Sequence, residues 1–376
     1  MNRISMISGM IWAGLACGMA AGGDSLSIDG YEFALIGDPG NRDTNEFEVP
    51  FFPDERIGGV DSEYQMATTE VSVGQYFEFV EAYYPFYVKN TGSDIGFTWF
   101  TGLGIRAAFG QVHILDGISP HRVADMSWEY AARYLNWLHH GKVVEEWAFE
   151  TGVYNTSTFA QDSDGVWQHQ SARSPGARFF FPTWDEWIKA GYWDPYKDNG
   201  TGGYWRFQNG SDVEPQAGLP EEGGERNAGD DFDLFPLNVL SYPDVPSPWG
   251  IFDMAGGHPE FTETISGTNR SRRLAGGSGH WEDRYGDIFS NDIIGYGRSL
   301  NACCSNYALR IATTPQLPVD LDQNGTVNYF DVARFLRWFI DQDHRADLRL
   351  DGVFNLDDVR VFLGLYAMSV GYDLNS

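Results

Sequence analysis

Residues 247–278 read SPWGIFDMAGGHPEFTETISGTNRSRRLAGGS. The run sustains neither the alternation of a strand nor the 3.6-residue period of a helix. Gly256-Gly257 and Gly276-Gly277 permit positive φ angles, while Trp249, Phe252, Met254 and Phe261 supply large apolar surfaces. The expectation is a compact, irregular core segment, neither a helix nor a regular sheet.

The wording G-I-F-D-M-A-G-G-x-x-E-F over residues 250–261, followed by L-A-G-G-S over 274–278, resembles the formylglycine-generating enzyme, or sulfatase-modifying-factor, family. That family typically shows G-L-Y-D-M-x-G-N-x-W-E-W and then R-G-G-S. Upstream stretches extend the likeness. Residues 36–41, I-G-D-P-G-N, end a strand-like run that begins at Tyr31. After the strand-like residues 64–72, Ser72 and Gln75 read as a capping box, and Val73, Tyr76, Phe77, Val80 and Tyr84 follow at helical spacing. Ser127 opens a second helix with Trp128, Ala131, Ala132, Leu135 and Leu138 toward the core. His139 and His140 close it as side chains able to carry a cation at its C-terminus, with Gly141 as the stop. Thr183 with Glu186 caps a third, and Arg310, in Asn306-Tyr307-Ala308-Leu309-Arg310, is expected partly buried and paired. The resemblance implies an α+β domain of the irregular, C-type-lectin-like kind over residues 31–314.

It also implies what chemistry to look for. Active members carry two cysteines five residues apart after the G-G-S. They hold copper(I) as thiolates and oxidise a substrate cysteine with oxygen, a demand that matches the softness of both partners. Here those positions fall on Trp281 and Gly286, neither of which ligates a metal. Ala275 and Gly257 stand where the family has Arg and Asn. Cys303 and Cys304 are adjacent, and on an extended chain their side chains point to opposite faces, so packed thiols or a strained vicinal disulfide are expected over a shared metal. Iron-dependent relatives need a further helical domain with a histidine-rich motif, and nothing in the chain resembles it. The acidic, glycine-rich residues 200–233 read by default as a solvated loop; the resemblance raises the alternative of a structural calcium there, with Asn227, Asp231 and Asp233 as donors. The family's second calcium site maps onto Glu260, with carbonyls of Ala255, Gly256 and His258; a Glu260–arginine pair is the other reading.

Composition bounds the rest. A net charge of −28 repels nucleic acid and anionic membrane surfaces. Residues 1–22 read as a secretory signal: Arg3, an apolar run over 4–16, then small residues. No other stretch is long and apolar enough to span a bilayer. The expected localisation is secreted, cell-surface or periplasmic. With only Cys303 and Cys304 beyond the signal, no disulfide framework supports the fold.

The C-terminal stretch carries the strongest chemical motif. Asp320, Asp322, Asn324, Asn328 and Asp331 supply oxygens at positions 1, 3, 5, 9 and 12 of a loop, with Gly325 at 6 and the Thr326 carbonyl at 7. That is the arrangement of a calcium loop. Val332, Phe335, Leu336 and Phe339 then mark an exiting helix. Pro315 and Pro318 disfavour an entering one, so the unit resembles a dockerin repeat more than a full EF-hand. A shift of 27 residues repeats the pattern on Asp347, Asp351, Gly352, Asn355 and Asp358, with Arg349 where a ligand belongs. The expected organisation is a signal at 1–22, the large domain at 31–314, a linker at 315–318 and a small all-α dockerin-like domain at 319–369. The resemblance implies calcium as cofactor and a cohesin-like partner, with Phe335, Arg337, Trp338 and Tyr366 as docking candidates.

The favoured reading is an exported, non-catalytic binding or structural protein anchored through its tail. Two alternatives stay open: a copper-dependent formylglycine-generating oxidoreductase, and a glycan-binding protein using aromatic residues near Tyr204, Trp205 and Trp281.

Overall fold

The structure is a computed structural model that describes residues 26–28, 30–48, 56–163, 167–226, 237–254, 256–266, 271–275, 307–314, 319–321, 326–349 and 352–370. Strands β1 (Leu26–Ile28) and β2 (Tyr31–Ile36) form a hairpin. β2 then pairs antiparallel with β3 (Tyr64–Ala67), Phe33 opposite Ala67 and Ile36 opposite Tyr64. The polypeptide next enters α1 (Val73–Thr91). Ser72 Oγ accepts from the Gln75 amide and Gln75 Oε1 accepts from the Ser72 amide, so the expected capping box forms. Phe79 and Tyr83 join Val73, Tyr76, Val80 and Tyr84 on its buried face, while Phe77 is only half-buried.

The short helix α2 (Thr98–Thr101) and the hairpin of β4 (Ile105–Ala108) and β5 (Gln111–Ile114) pack on α1. Helix α3 (Trp128–His139) starts at Ser127, whose hydroxyl accepts from the Tyr130 amide. Its buried Asn136 straps it to α4 (Glu146–Glu150): Nδ2 donates to the Phe149 and Tyr154 carbonyls at 2.9 and 2.8 Å, and Oδ1 accepts from the Tyr154 amide at 2.8 Å. After the paired β6 (Ala160–Gln161) and β7 (Trp167–Gln168), β8 (Phe179–Phe180) leads into α5 (Trp184–Tyr192), capped by Thr183 and Glu186 as expected. Strands β9 (Trp193–Asp194) and β10 (Gly203–Tyr204) pair across the short α6 (Lys197–Gly200).

Within the 247–278 stretch, the described residues are more regular than expected. β11 (Glu260–Ser266) and β12 (Ser271–Ala275) form an antiparallel hairpin with a register irregularity between Phe261 and Ile265. The strand escapes hydrophobic patterning because Glu260, Thr262 and Glu263 are buried alongside Phe261, and their polar side chains hide the period. Finally β13 (Ala312–Thr313) inserts between β3 and β8, closing an antiparallel sheet in the order β1-β2-β3-β13-β8. Residues of this sheet feed two cores. Tyr31, Phe33, Phe179 and Ala312 join the α1 and α3 side chains, while Ile36, Tyr64 and Met66 join Trp187, Ile188 and Tyr192 of α5. Helices with small antiparallel sheets make a mixed architecture, consistent with α+β.

Two further helices, α7 (Tyr329–Ile340) and α8 (Leu356–Val370), cross with Phe335 and Phe362 stacked at 4.2 Å and 4° between rings. They do not stand apart: Val319, Phe335, Leu348, Val361, Phe362 and Leu365 belong to the same buried cluster as α1 and α3. The closest approach is backbone to backbone. A Cβ on Gly364 would lie 2.0 Å from the Gly141 carbonyl oxygen, and one on Gly141 (φ +64°) would lie 2.5 Å from the Leu365 nitrogen. Only glycine at both positions lets α8 sit there. The expected linker, residues 315–318, lies outside the described residues.

Candidate functional site

The expected calcium loops are held to their helices by one repeated device. In the first, buried Asp331 accepts from the Leu321 amide at 2.7 Å and the Asn328 amide at 2.8 Å. In the second, buried Asp358 accepts from Leu348 at 2.9 Å, Arg349 at 3.3 Å and Asn355 at 2.9 Å. Leu321 and Leu348, Asn328 and Asn355, and Asp331 and Asp358 are each 27 residues apart, so the sequence repeat is also a repeat of hydrogen bonds. Burial raises the pKa of Asp358, while its backbone donors pull it down. Asn328 caps α7 through the Phe330 amide at 2.9 Å, and its side-chain Nδ2 donates to the Thr326 carbonyl at 2.9 Å. Asp347 accepts from the Gly352 amide at 2.7 Å and Asp320 is half-buried. Asp322, Asn324, Gly325 and Asp351 lie outside the described residues. The set of oxygens named for the first loop is entirely hard, which suits calcium. In the second loop the intruding Arg349 lies over the Trp147 ring at 4.2 Å and 3.3 Å from Asp357.

Of the two readings of Glu260, the geometry supports the arginine pair. Fully buried Arg310 donates to both Glu260 oxygens at 2.7 to 3.0 Å, and Trp187 Nε1 donates to Oε2 at 2.6 Å. Arg310 also donates to the carbonyls of Ala67 at 3.2 Å and Phe252 at 3.0 Å, and approaches Glu70 to 3.5 Å. It is more deeply buried than expected. Burial drives the pKa of Glu70 well up despite Arg310, and raises that of Asp253, whose carboxylate accepts from the Ser241 and Tyr242 amides. Three carboxylates around one guanidinium leave surplus negative charge, and the rise favours a proton on Glu70.

A third feature has no signal in the sequence. A cavity of about 360 Å³ is lined by Glu63, Tyr64, Arg173, Ser174, Phe180 and Glu186, among others. Arg173 donates to both oxygens of Glu186 at 2.6 and 3.1 Å and lies 3.8 Å from the Phe180 ring centre. Its fork is therefore engaged within the protein.

Two expectations are corrected. His139 and His140 are each 1% exposed, and burial lowers both pKa values, that of His140 to about 3. They are neutral core residues and not cationic caps, because Trp147 and Thr151 cover His140 and the Arg178 amide donates to His139 Nδ1 at 3.3 Å. Tyr204 is also buried, its hydroxyl donating to the Arg42 carbonyl, so its ring is not offered to a glycan. Trp205 is half-buried, bonded to Asp194 and covered by Lys197 at 4.0 Å. Among the docking candidates, Phe335 is core, Trp338 and Tyr366 are half-buried and Arg337 is exposed. Trp281, Gly286, Cys303, Cys304, Asn227, Asp231, Asp233 and Ala255 lie outside the described residues, as do residues 1–22. Among the described residues, no group of three or more His, Cys, Asp or Glu is arranged to hold a metal, and no helix is long and apolar enough to cross a membrane.

No family model and no curated protein matches the chain. Among solved structures it is similar to CarF, at 17% identity over 77% of this chain and 100% of that one, with a TM-score of 0.44. It is also similar to Treponema denticola variable protein 1, at 15% identity over 77% and 98%, with a TM-score of 0.46. PvdO from Pseudomonas aeruginosa shares 14% identity over 76% and 95%, with a TM-score of 0.39.

Proposed function

We propose that the protein is an exported, non-catalytic binding or structural protein. In this reading a sulfatase-modifying-factor-like, C-type-lectin-like domain is carried into a larger assembly by a dockerin-like tail, which binds calcium in its first loop and engages a cohesin-like partner. The observation that carries the reading is the doubled tie of Asp331 and Asp358 to their own loops, in register with the calcium-loop spacing of the sequence. The non-catalytic half rests on the residues at the family's copper positions. Trp281 and Gly286 offer no soft donor, so a copper(I) thiolate pair does not fit this chain.

Two measurements test it on the full chain. Calorimetric titration with calcium is expected to show binding that Asp320→Ala together with Asp322→Ala abolishes at the first loop. Titration with copper(I), followed by incubation with a cysteine peptide and oxygen, is expected to give neither stoichiometric binding nor product. Oxygen-dependent turnover would restore the oxidoreductase reading.

A further inference from the structure

A second oxygen-lined position lies far from the C-terminal loops in sequence. A cavity of about 10 Å³ has Gln208, Asn209, Glu225 and Asp253 as its principal polar lining, with Ile251 and Met254 among its apolar walls. That is room for one water-sized occupant. Gln208 is 3% exposed, and its Nε2 donates to the Tyr192 hydroxyl at 2.7 Å and the Met254 carbonyl at 3.3 Å. A carbonyl only accepts, so a flipped amide would set two acceptors face to face, and the orientation is fixed. Oε1 is then the acceptor that Gln208 offers to the cavity it lines, with no donor among the described residues. Asn209 Oδ1 is also buried without a donor among them. The Asp253 and Glu225 carboxylates each accept from backbone amides, the latter from Gln216 at 2.8 Å, and keep lone pairs to spare.

Buried acceptors without donors beside two carboxylates are unfavourable unless something positive joins them. Calcium takes carboxylate and amide oxygens together in irregular geometry. Magnesium demands a near-ideal octahedron and keeps several waters, for which a space this small has no room. We propose that this cavity holds one calcium ion, ligated by Gln208 Oε1, Asn209 Oδ1 and the carboxylates of Asp253 and Glu225. The ion ties the 208–225 segment to the 242–254 segment.

The test uses the full chain in an Asp320→Ala, Asp322→Ala background, which removes the first C-terminal loop and separates this site from that one. Calcium titration and terbium luminescence are expected to detect one remaining ion. Asn209→Leu is expected to weaken it at least tenfold, and Asn209→Asp, which adds a charged ligand, to strengthen it about tenfold. Circular dichroism confirms that each variant is folded. A background that binds no ion, or one that is indifferent to both Asn209 variants, overturns the proposal. An ordered water alone gives the first of these results.

Discussion

Helices α7 and α8 begin 27 residues apart, at 329 and 356, and use the same aspartate to tie each loop to its helix, yet they face different surroundings. On α7, Phe330 and Ile340 are exposed where their counterparts Asp357 and Ala367 are half-buried and buried, while Tyr329 and Leu336 are exposed just as Leu356 and Leu363 are. α8 instead lies against the corner between α3 and α4, with Gly364 on Gly141, and Arg360 within 3.7 Å of Glu145. Laying one repeat on the other shows where they diverge. Asp322, a ligand in the proposed calcium loop, becomes Arg349, which covers Trp147, and exposed Arg337 becomes Gly364. Both departures fall at the contact with the large fold. The second repeat is shaped by the body it rests on, and the first keeps the full calcium-loop spacing of the sequence and more of its open face.

Acid is expected to break the contrast most strongly. His140 ordinarily titrates near 6.5, and burial lowers it to about 3 in the fold. The unfolded chain therefore takes up a proton that the folded chain does not. The stability tied to this residue is complete above about pH 6.5 and is lost as pH falls toward 3, by up to roughly 5 kcal/mol. Hydrogen exchange across that range should show the α8 contact opening, and His140→Phe should flatten the dependence. Gly364→Leu comes next. A side chain placed against the Gly141 carbonyl is expected to destabilise by about 3 kcal/mol in urea unfolding, at the upper end of overpacking effects.

Calcium affinity sharpens the comparison. Asp331→Asn is expected to weaken calcium binding on the order of tenfold, by removing a charged ligand. Asp358→Asn should leave the number of bound ions unchanged. Arg349→Ala, which removes a cation over a half-buried ring, should cost about 1 kcal/mol and shift Trp147 fluorescence. Smallest of all, Arg337→Ala on the open helix should stay within about 0.5 kcal/mol of the parent chain.

What the sequence made legible was local. The Ser72/Gln75 and Thr183/Glu186 caps were readable because donor and acceptor lie three residues apart, and the 27-residue repeat because its members share one numbering offset. What stayed hidden depended on distant residues. Gly141 reads as a helix stop, but its strictest constraint is Gly364, more than two hundred residues on. His139 and His140 look cationic until Trp147, Thr151 and Arg178, from other segments, enclose them. Glu260 gave two readings because its partner Arg310 is fifty residues away. The hairpin over 260–275 was missed because the face it buries is partly polar.

If the tail anchors the protein as proposed, the glycine-to-glycine seam decides what kind of handle it is. A module on a slack tether would let its cargo swivel, whereas helices whose backbones meet the body at van der Waals distance act as a rigid bracket. Anything that seized the exposed side of α7 would then set the heading of the whole molecule.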